Sequence, residues 1–193
     1  MPPADPYLTL GSCVLRPYKT SDIDALVRAA NSPRVAQWMR NTFPHPYTRH
    51  SAEVWIAVAT RWAPVRDLAI CTADGDDGDD GEHASGTVMG GIGLKLREDI
   101  QHRTMELGYW LGEAYWGCGI ATDAVAAFCG WAFATFPLLL RLEAHVFDGN
   151  DASARVLEKA GFAFEVRQRQ SMEKNGIVMD TLVYVKFRPE GME

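Results

Sequence analysis

Nowhere in the 193-residue chain is there an unbroken run of 18 apolar residues. A bilayer core asks for about 20, so a membrane-spanning helix is excluded and no membrane partner is expected. Its four cysteines (Cys13, Cys71, Cys118, Cys129) form no C-x-x-C pair and no secreted-scaffold spacing, which suits a reducing compartment. The opening Met1-Pro2-Pro3-Ala4-Asp5-Pro6 lacks the basic start and apolar stretch of a signal peptide, and a cytoplasmic location is expected. A basic excess is also missing: 19 basic residues face 25 acidic ones, a net charge of −6. Six of the acids, Asp74, Asp76, Asp77, Asp79, Asp80 and Glu82, fall within nine residues. Nothing in that balance supplies the phosphate-neutralising charge of a nucleic-acid partner. No G-x-S-x-G elbow supports a serine hydrolase. The five histidines are scattered without H-E-x-x-H or Cys/His clustering, so no metal is expected. Glycines fall where an EF-hand needs ligands, which removes the acidic segment as a calcium loop.

What is present reads as globular. Apolar residues make up 47% and charged residues 23%, and the length fits one domain over 1–193. Residues 1–8 are expected to be disordered and 74–86 to form a mobile acidic loop. A first strand is expected over 10–17, then a helix from Thr20 or Ser21 to Asn31 and a short one from Ser32, with Pro33 in its first turn. Two prolines hold Phe43-Pro44-His45-Pro46-Tyr47 extended. A helix over 48–62 should turn Val54, Ile56, Val58 and Ala59 inward. Strands follow at 67–73, 87–97 and 103–112. A helix then runs to Phe136, with Ile120, Ala124, Ala127, Phe128 and Trp131 at threes and fours. Leu140, Leu142, Ala144 and Val146 alternate with Arg141, Glu143 and His145, a strand with one buried face. Asn150 or Asp151 caps a helix to Ala160, Phe162 opens a strand, and Asn175-Gly176 turns into a last strand at 177–187. The order predicts an α/β fold: a mixed, mostly antiparallel sheet of six to seven strands flanked by helices, with one parallel crossover at the helix 117–136.

The segment 106–122 carries the most chemistry. Gly117 and Gly119 stand between a strand and a helix, where unpaired backbone N–H groups at the positive end of a helix dipole can hold phosphate oxygens. The same glycines also serve a purely steric turn. The sequence is not a P-loop, since no Lys-Ser/Thr follows, and Thr122 breaks the dinucleotide fingerprint. Glu106-Leu-Gly-Tyr-Trp-Leu111, Tyr115-Trp-Gly-Cys-Gly-Ile-Ala-Thr122 and Asn150-Asp-Ala-Ser-Ala-Arg-Val-Leu-Glu-Lys-Ala-Gly-Phe162 together resemble the GCN5-related N-acetyltransferase (GNAT) superfamily. Within it the chain is similar to the branch of ribosomal-protein N-terminal acetyltransferases of the RimJ/RimL type. Leu15-Arg16-Pro17 with Asp22, and the closing Arg188-Pro189, match the same branch.

The resemblance implies a splayed sheet of the GNAT fold and acetyl-CoA as co-substrate, its pantetheine arm on the strand 103–112 with Trp110 and Leu111. Its pyrophosphate would lie on the N–H groups of Gly117, Cys118, Gly119, Ile120, Ala121 and Thr122. Trp116 stands where the family pattern has a basic or amide residue. Asn150 would bond the arm, a role that competes with simple helix capping. Leu157 occupies the usual place of a tyrosine proton donor, and Ser153 is the hydroxyl nearby, as acid or merely solvated. An amine of pKa about 8–10 must lose a proton before it attacks. Glu106 is the candidate base, with an exposed strand carboxylate as the other reading. Trp38, Phe43, His45 and Tyr47 would line the acceptor cleft, or simply pack. The function implied is acetyl transfer to a primary amine, a protein N-terminal α-amine or a small molecule, by direct attack in a ternary complex. The chain would be a monomer or homodimer. A sensor domain that binds acyl-CoA without turnover is the alternative, favoured by Leu157.

Overall fold

The structure, a computed structural model, describes residues 8–73 and 86–191. The expected acidic loop therefore lies, except for Gly86, outside the described residues, as does the N-terminal segment 1–7. Eight strands are described: β1 (Leu8–Thr9), β2 (Val14–Arg16), β3 (Asp67–Cys71), β4 (Val88–Leu96), β5 (Thr104–Leu111), β6 (Arg141–Phe147), β7 (Ala163–Lys174) and β8 (Ile177–Phe187). The helices are α1 (Ile23–Ala30), α2 (Pro33–Ala36), α3 (Arg49–Ala59), α4 (Ile120–Thr135) and α5 (Asp151–Lys159). The strands bond in the order β1-β2-β3-β4-β5-β6-β8-β7. The crossover through α4 makes β5 and β6 parallel, as the sequence order requires. Eight strands replace the six to seven expected because 10–17 is not one strand. The chain turns at Gly11-Ser12, and Leu8 and Thr9 fold back on Leu15 and Val14. Leu8 thus belongs to the sheet, not to a disordered start.

Two compact units are distinguished, Met1–Gly93 with Tyr109–Ala124 and Leu94–Gly108 with Val125–Glu193; β4, β5 and α4 contribute to both. In the first, Leu26 and Ala30 of α1 and Ala52, Ile56 and Ala59 of α3 form one core with Ala69, Cys71 and Val88 of the sheet. Thr48 caps α3 through the Ser51 N–H. The buried stripe is 52, 56 and 59, so the expected inward positions Val54 and Val58 miss it, and Val54 is half exposed. Arg16 is fully buried, and its guanidinium meets both oxygens of buried Asp22 at 2.7 and 2.8 Å. Burying this charge is tolerable only because it is paired and hydrogen-bonded.

In the second unit β8 pairs with β6 along its length, from Arg141↔Phe187 to Phe147↔Thr181, and with β7 on its other edge. Leu142, Ala144 and Val146 are buried, as their alternation predicts, but Leu140, expected on the same face, precedes β6 and is 42% exposed. On α4, Val125, Phe128, Cys129, Ala132 and Phe133 are buried, while the expected Ala127 and Trp131 are only half so. The helix is apolar on most of its circumference, so the threes-and-fours rule does not single out one stripe.

Candidate active site

The turn before α4 is held open. Gly117 and Gly119 have φ of +78° and +81°, and a Cβ at either would meet nothing within 4 Å. Backbone conformation, not crowding, is what demands glycine there. The first bonds of the helix run from the N–H groups of Thr122 and Asp123 to the Gly119 carbonyl, at 3.0 and 3.2 Å. Among the described residues, none of the five N–H groups from Gly117 to Ala121 donates to a protein acceptor. Gly117, Cys118 and Gly119 are exposed, so their donors face solvent at the positive end of a 16-residue helix. Unpaired donors of this kind are what an anion site is made from. Trp116 takes no part in it by charge. Its Nε1 donates to the Leu111 carbonyl at 2.8 Å, and the Arg34 guanidinium lies 5.3 Å over its ring. Arg34 is tied in turn to Glu113.

In the same unit Leu111 is buried and Trp110 half-buried, its ring edge-on to Phe43 at 5.5 Å. Phe43 tilts against Tyr47 at 5.0 Å. Of the four residues expected at an acceptor cleft, Tyr47 is core, 4% exposed, with its N–H bonded to Asn31 Oδ1. Burial pushes its hydroxyl up to about 12. Trp38 and Phe43 are half-buried and His45 is exposed. Phe43 packs against Tyr47 and Trp110, and His45 is the exposed member of the four.

In the second unit the parallel ladder runs through Thr104↔Arg141, Met105↔Leu142 and Glu106↔Glu143 and stops there. The fork where β5 and β6 part is therefore flanked by two carboxylates. Gly108, two residues on and on the same face as Glu106, is exposed, with nothing within 4 Å of where a Cβ would be. Glu106 is not an exposed strand carboxylate: it is 7% exposed. Lys95 Nζ lies 3.7 Å from one of its oxygens and Arg97 Nη2 3.9 Å from the other. Arg97 also donates twice to Glu143 Oε1, through Nε at 2.9 Å and through Nη2. Arg141 Nη2 stands 3.5 Å from Glu143 Oε2 and forks onto Glu165. Lys95, Glu106, Arg97, Glu143, Arg141 and Glu165 thus alternate in sign along one ladder. Burial alone would push Glu143 up, but Arg97 and His145 outweigh it and hold the carboxyl below its ordinary range. Sequence reasoning put Arg141, Glu143 and His145 on one face. It did not find their partners, which depend on strand register.

Asn150 caps α5, its Oδ1 accepting from the Ser153 N–H at 3.2 Å. The cap uses the amide oxygen only, so its other reading survives through the NH2 group. Ser153 is half-buried and Leu157 fully buried, which leaves no hydroxyl at the usual tyrosine place.

Residues 13–163 match the model of the acetyltransferase (GNAT) domain family, and the chain belongs to that family. An uncharacterized N-acetyltransferase, YoaA, of Bacillus subtilis (strain 168) is 37% identical over 102 residues, 53% of this chain and 56% of its own. The match thus spans little more than half of that relative. Among solved structures, RimL, a ribosomal L7/L12 α-N-protein acetyltransferase in complex with coenzyme A, superposes with a TM-score of 0.76. It covers 93% of this chain and 96% of its own, at 17% identity. The microcin C7 self-immunity acetyltransferase MccE, in complex with acetyl-CoA and AMP, gives 0.75 at 17% identity over 93% and 94%. These likenesses establish the fold. Among the described residues no helix is long and apolar enough to cross a membrane.

Proposed function

We propose that this protein transfers the acetyl group of acetyl-CoA to a primary amine by direct attack within a ternary complex. The observation that carries the reading is the cradle of five unpartnered N–H groups from Gly117 to Ala121. Such a cradle binds a pyrophosphate through the backbone, so Trp116 in place of a basic residue is no obstacle. Acetyl-CoA supplies an activated acetyl thioester. Every other part of the reaction falls to the chain. The edge of β5 that ends in Trp110 and Leu111 holds the pantetheine arm by main-chain bonds, and the Asn150 NH2 group donates to it. Glu106 takes the proton that the amine nitrogen sheds as it attacks. The Ser153 hydroxyl gives a proton to the leaving thiolate. Trp38, Phe43 and His45 contact the acceptor, with Tyr47 packed against Phe43.

Among acceptors, a protein N-terminal α-amine is favoured by the likeness to RimL, an α-N-protein acetyltransferase. A thiol-release assay with acetyl-CoA against peptides, polyamines, aminoglycosides and amino acids tests both levels. Release with peptide N-termini above all others is expected; preference for a small amine overturns the protein acceptor. The buried Leu157 favours a second reading, an acyl-CoA sensor without turnover. Tight binding by calorimetry with no thiol release from any amine would establish that reading instead.

A further inference from the structure

The amine must lose two protons, and Glu106 accounts for one. An acceptor amine arrives as R–NH3+, and a second proton leaves as the amide forms. A carboxylate ordinarily titrates several units below an amine, whereas a histidine is nearer by about two units, which makes it roughly 100-fold better at holding the first proton. His145 stands on β6 two residues beyond Glu143, on the same face, just past the point where β5 and β6 part. Its Nε2 is buried, has no hydrogen bond, and points at Glu143 Oε1 from 3.5 Å. Arg97 clamps that same oxygen, so the carboxylate is fixed and the ring is oriented by it. This is the arrangement of a base with its orienting partner.

We infer that His145, its Nε2 turned toward Glu143, takes the first proton of the acceptor ammonium at Nδ1, directly or through one water. The inference rests on the acetyltransferase reading. His145 becomes an imidazolium and the acceptor becomes R–NH2. The nitrogen lone pair forms the N–C bond while the C–S bond breaks, its electron pair staying on sulfur. The nitrogen then gives its second proton to Glu106, the thiolate is protonated, and the imidazolium returns its proton to solvent. One proton is released for each acetyl group moved. The charged group that faces the ring is Glu143, and through it the ring joins the ladder of Arg141 on β6, Glu106 on β5, Lys95 on β4 with Arg97 just beyond it, and Glu165 on β7. Its register partner on β8, Val183, carries no charge.

The test is the pH profile of kcat/KM for the best amine found, in wild type, His145→Gln and Glu143→Gln. His145→Gln should lose about 10- to 100-fold at pH 7 and recover to within about three-fold by pH 9, where more of the amine is already neutral. Calorimetry should give unchanged affinity for coenzyme A. Glu143→Gln should move the acid limb to lower pH, because the imidazolium loses its counter-charge. The His145 ring titration followed by NMR in the wild type should coincide with the kinetic limb. A His145→Gln profile matching the wild type overturns the inference. If that variant fails to fold, a ring titration that misses the limb overturns it as well. A wild type that acetylates no amine removes the acetyltransferase reading itself, a different result from an active enzyme indifferent to His145.

Discussion

The turn at 117–121 and the fork at Glu106 and Glu143 solve opposite problems. The turn exposes main-chain donors and leaves them without partners. The fork buries side-chain charge and balances almost every group in it. A backbone site asks of the sequence only that two residues accept positive φ, so nearly any side chain can stand between Gly117 and Gly119. A side-chain site asks for particular residues on three different strands at one register. The first tolerates Trp116 and Cys118; the second tolerates few replacements anywhere.

The sharpest way to break this contrast is Gly119→Asp. Left-handed backbone costs an L-residue about 1–2 kcal/mol, and a carboxylate beside the phosphates adds several kcal/mol of like-charge repulsion. Affinity for coenzyme A should fall by roughly 1000-fold or more. The fold should hold, since the added atoms enter open space. Circular dichroism and calorimetry check both halves, and undiminished affinity in a folded variant would remove the turn from the site.

At the fork, Glu106→Gln should do the reverse: coenzyme A affinity unchanged, kcat lower by about 10²- to 10⁴-fold at pH 7. The deficit should persist at pH 9, because the proton at stake leaves a nitrogen that is already bonding to carbon. A deficit that closed at high pH, as expected for His145→Gln, would show that Glu106 handles the first proton. Wild-type kcat would make Glu106 a structural member of the ladder.

The same contrast governs what could be read from the sequence. Gly117 and Gly119 announce themselves because few residues other than glycine take φ near +80°, and the strand-turn-helix order around them is local. The face shared by Arg141, Glu143 and His145 is equally local, a matter of alternation. Arg97 meeting Glu143 across 46 residues is not, since it depends on which strand lies beside which and in what register. Arg16 and Asp22 are only six residues apart, but their burial is set by the rest of the fold, which turns what looks like a surface pair into an interior one. The split between β1 and β2 escaped for a related reason: two residues, Leu8 and Thr9, carry too little pattern to announce a strand.

Arg97→Leu probes the ladder through stability. Glu143 titrates below its ordinary value, so its pairing contributes stability above about pH 4.5 that is lost as pH falls through the folded value. Without Arg97 that contribution shrinks, because burial is then opposed only by His145 and Arg141. Since Arg97 is 36% exposed, screening limits the cost to about 1 kcal/mol at pH 7. The gap in thermal stability to the wild type should narrow as pH falls through the folded value of Glu143, below which the carboxyl is protonated in both proteins. A gap independent of pH would mean that Arg97 stabilises by packing alone.

The smallest effect is expected from the acidic segment. Six acids between Asp74 and Glu82 can raise the on-rate of a cationic acceptor, but only within a Debye length, about 8 Å at physiological salt. The ladder at the fork already alternates in sign, so an acceptor bound there would need no added field. Residues 74–85 are the ones to replace with a short Gly-Ser turn. Gly86 stays, since its φ is +50°, a Cβ there would strike the Thr72 carbonyl oxygen at 2.2 Å, and its own carbonyl accepts from Arg16 Nη2 at 3.1 Å. With that anchor kept, kcat/KM at low salt should stay within about three-fold of the wild type. A ten-fold loss that vanished in high salt would mean that the acids steer the acceptor. A loss equal at both salt concentrations would point to contact in place of steering, and the segment would then belong to the acceptor site.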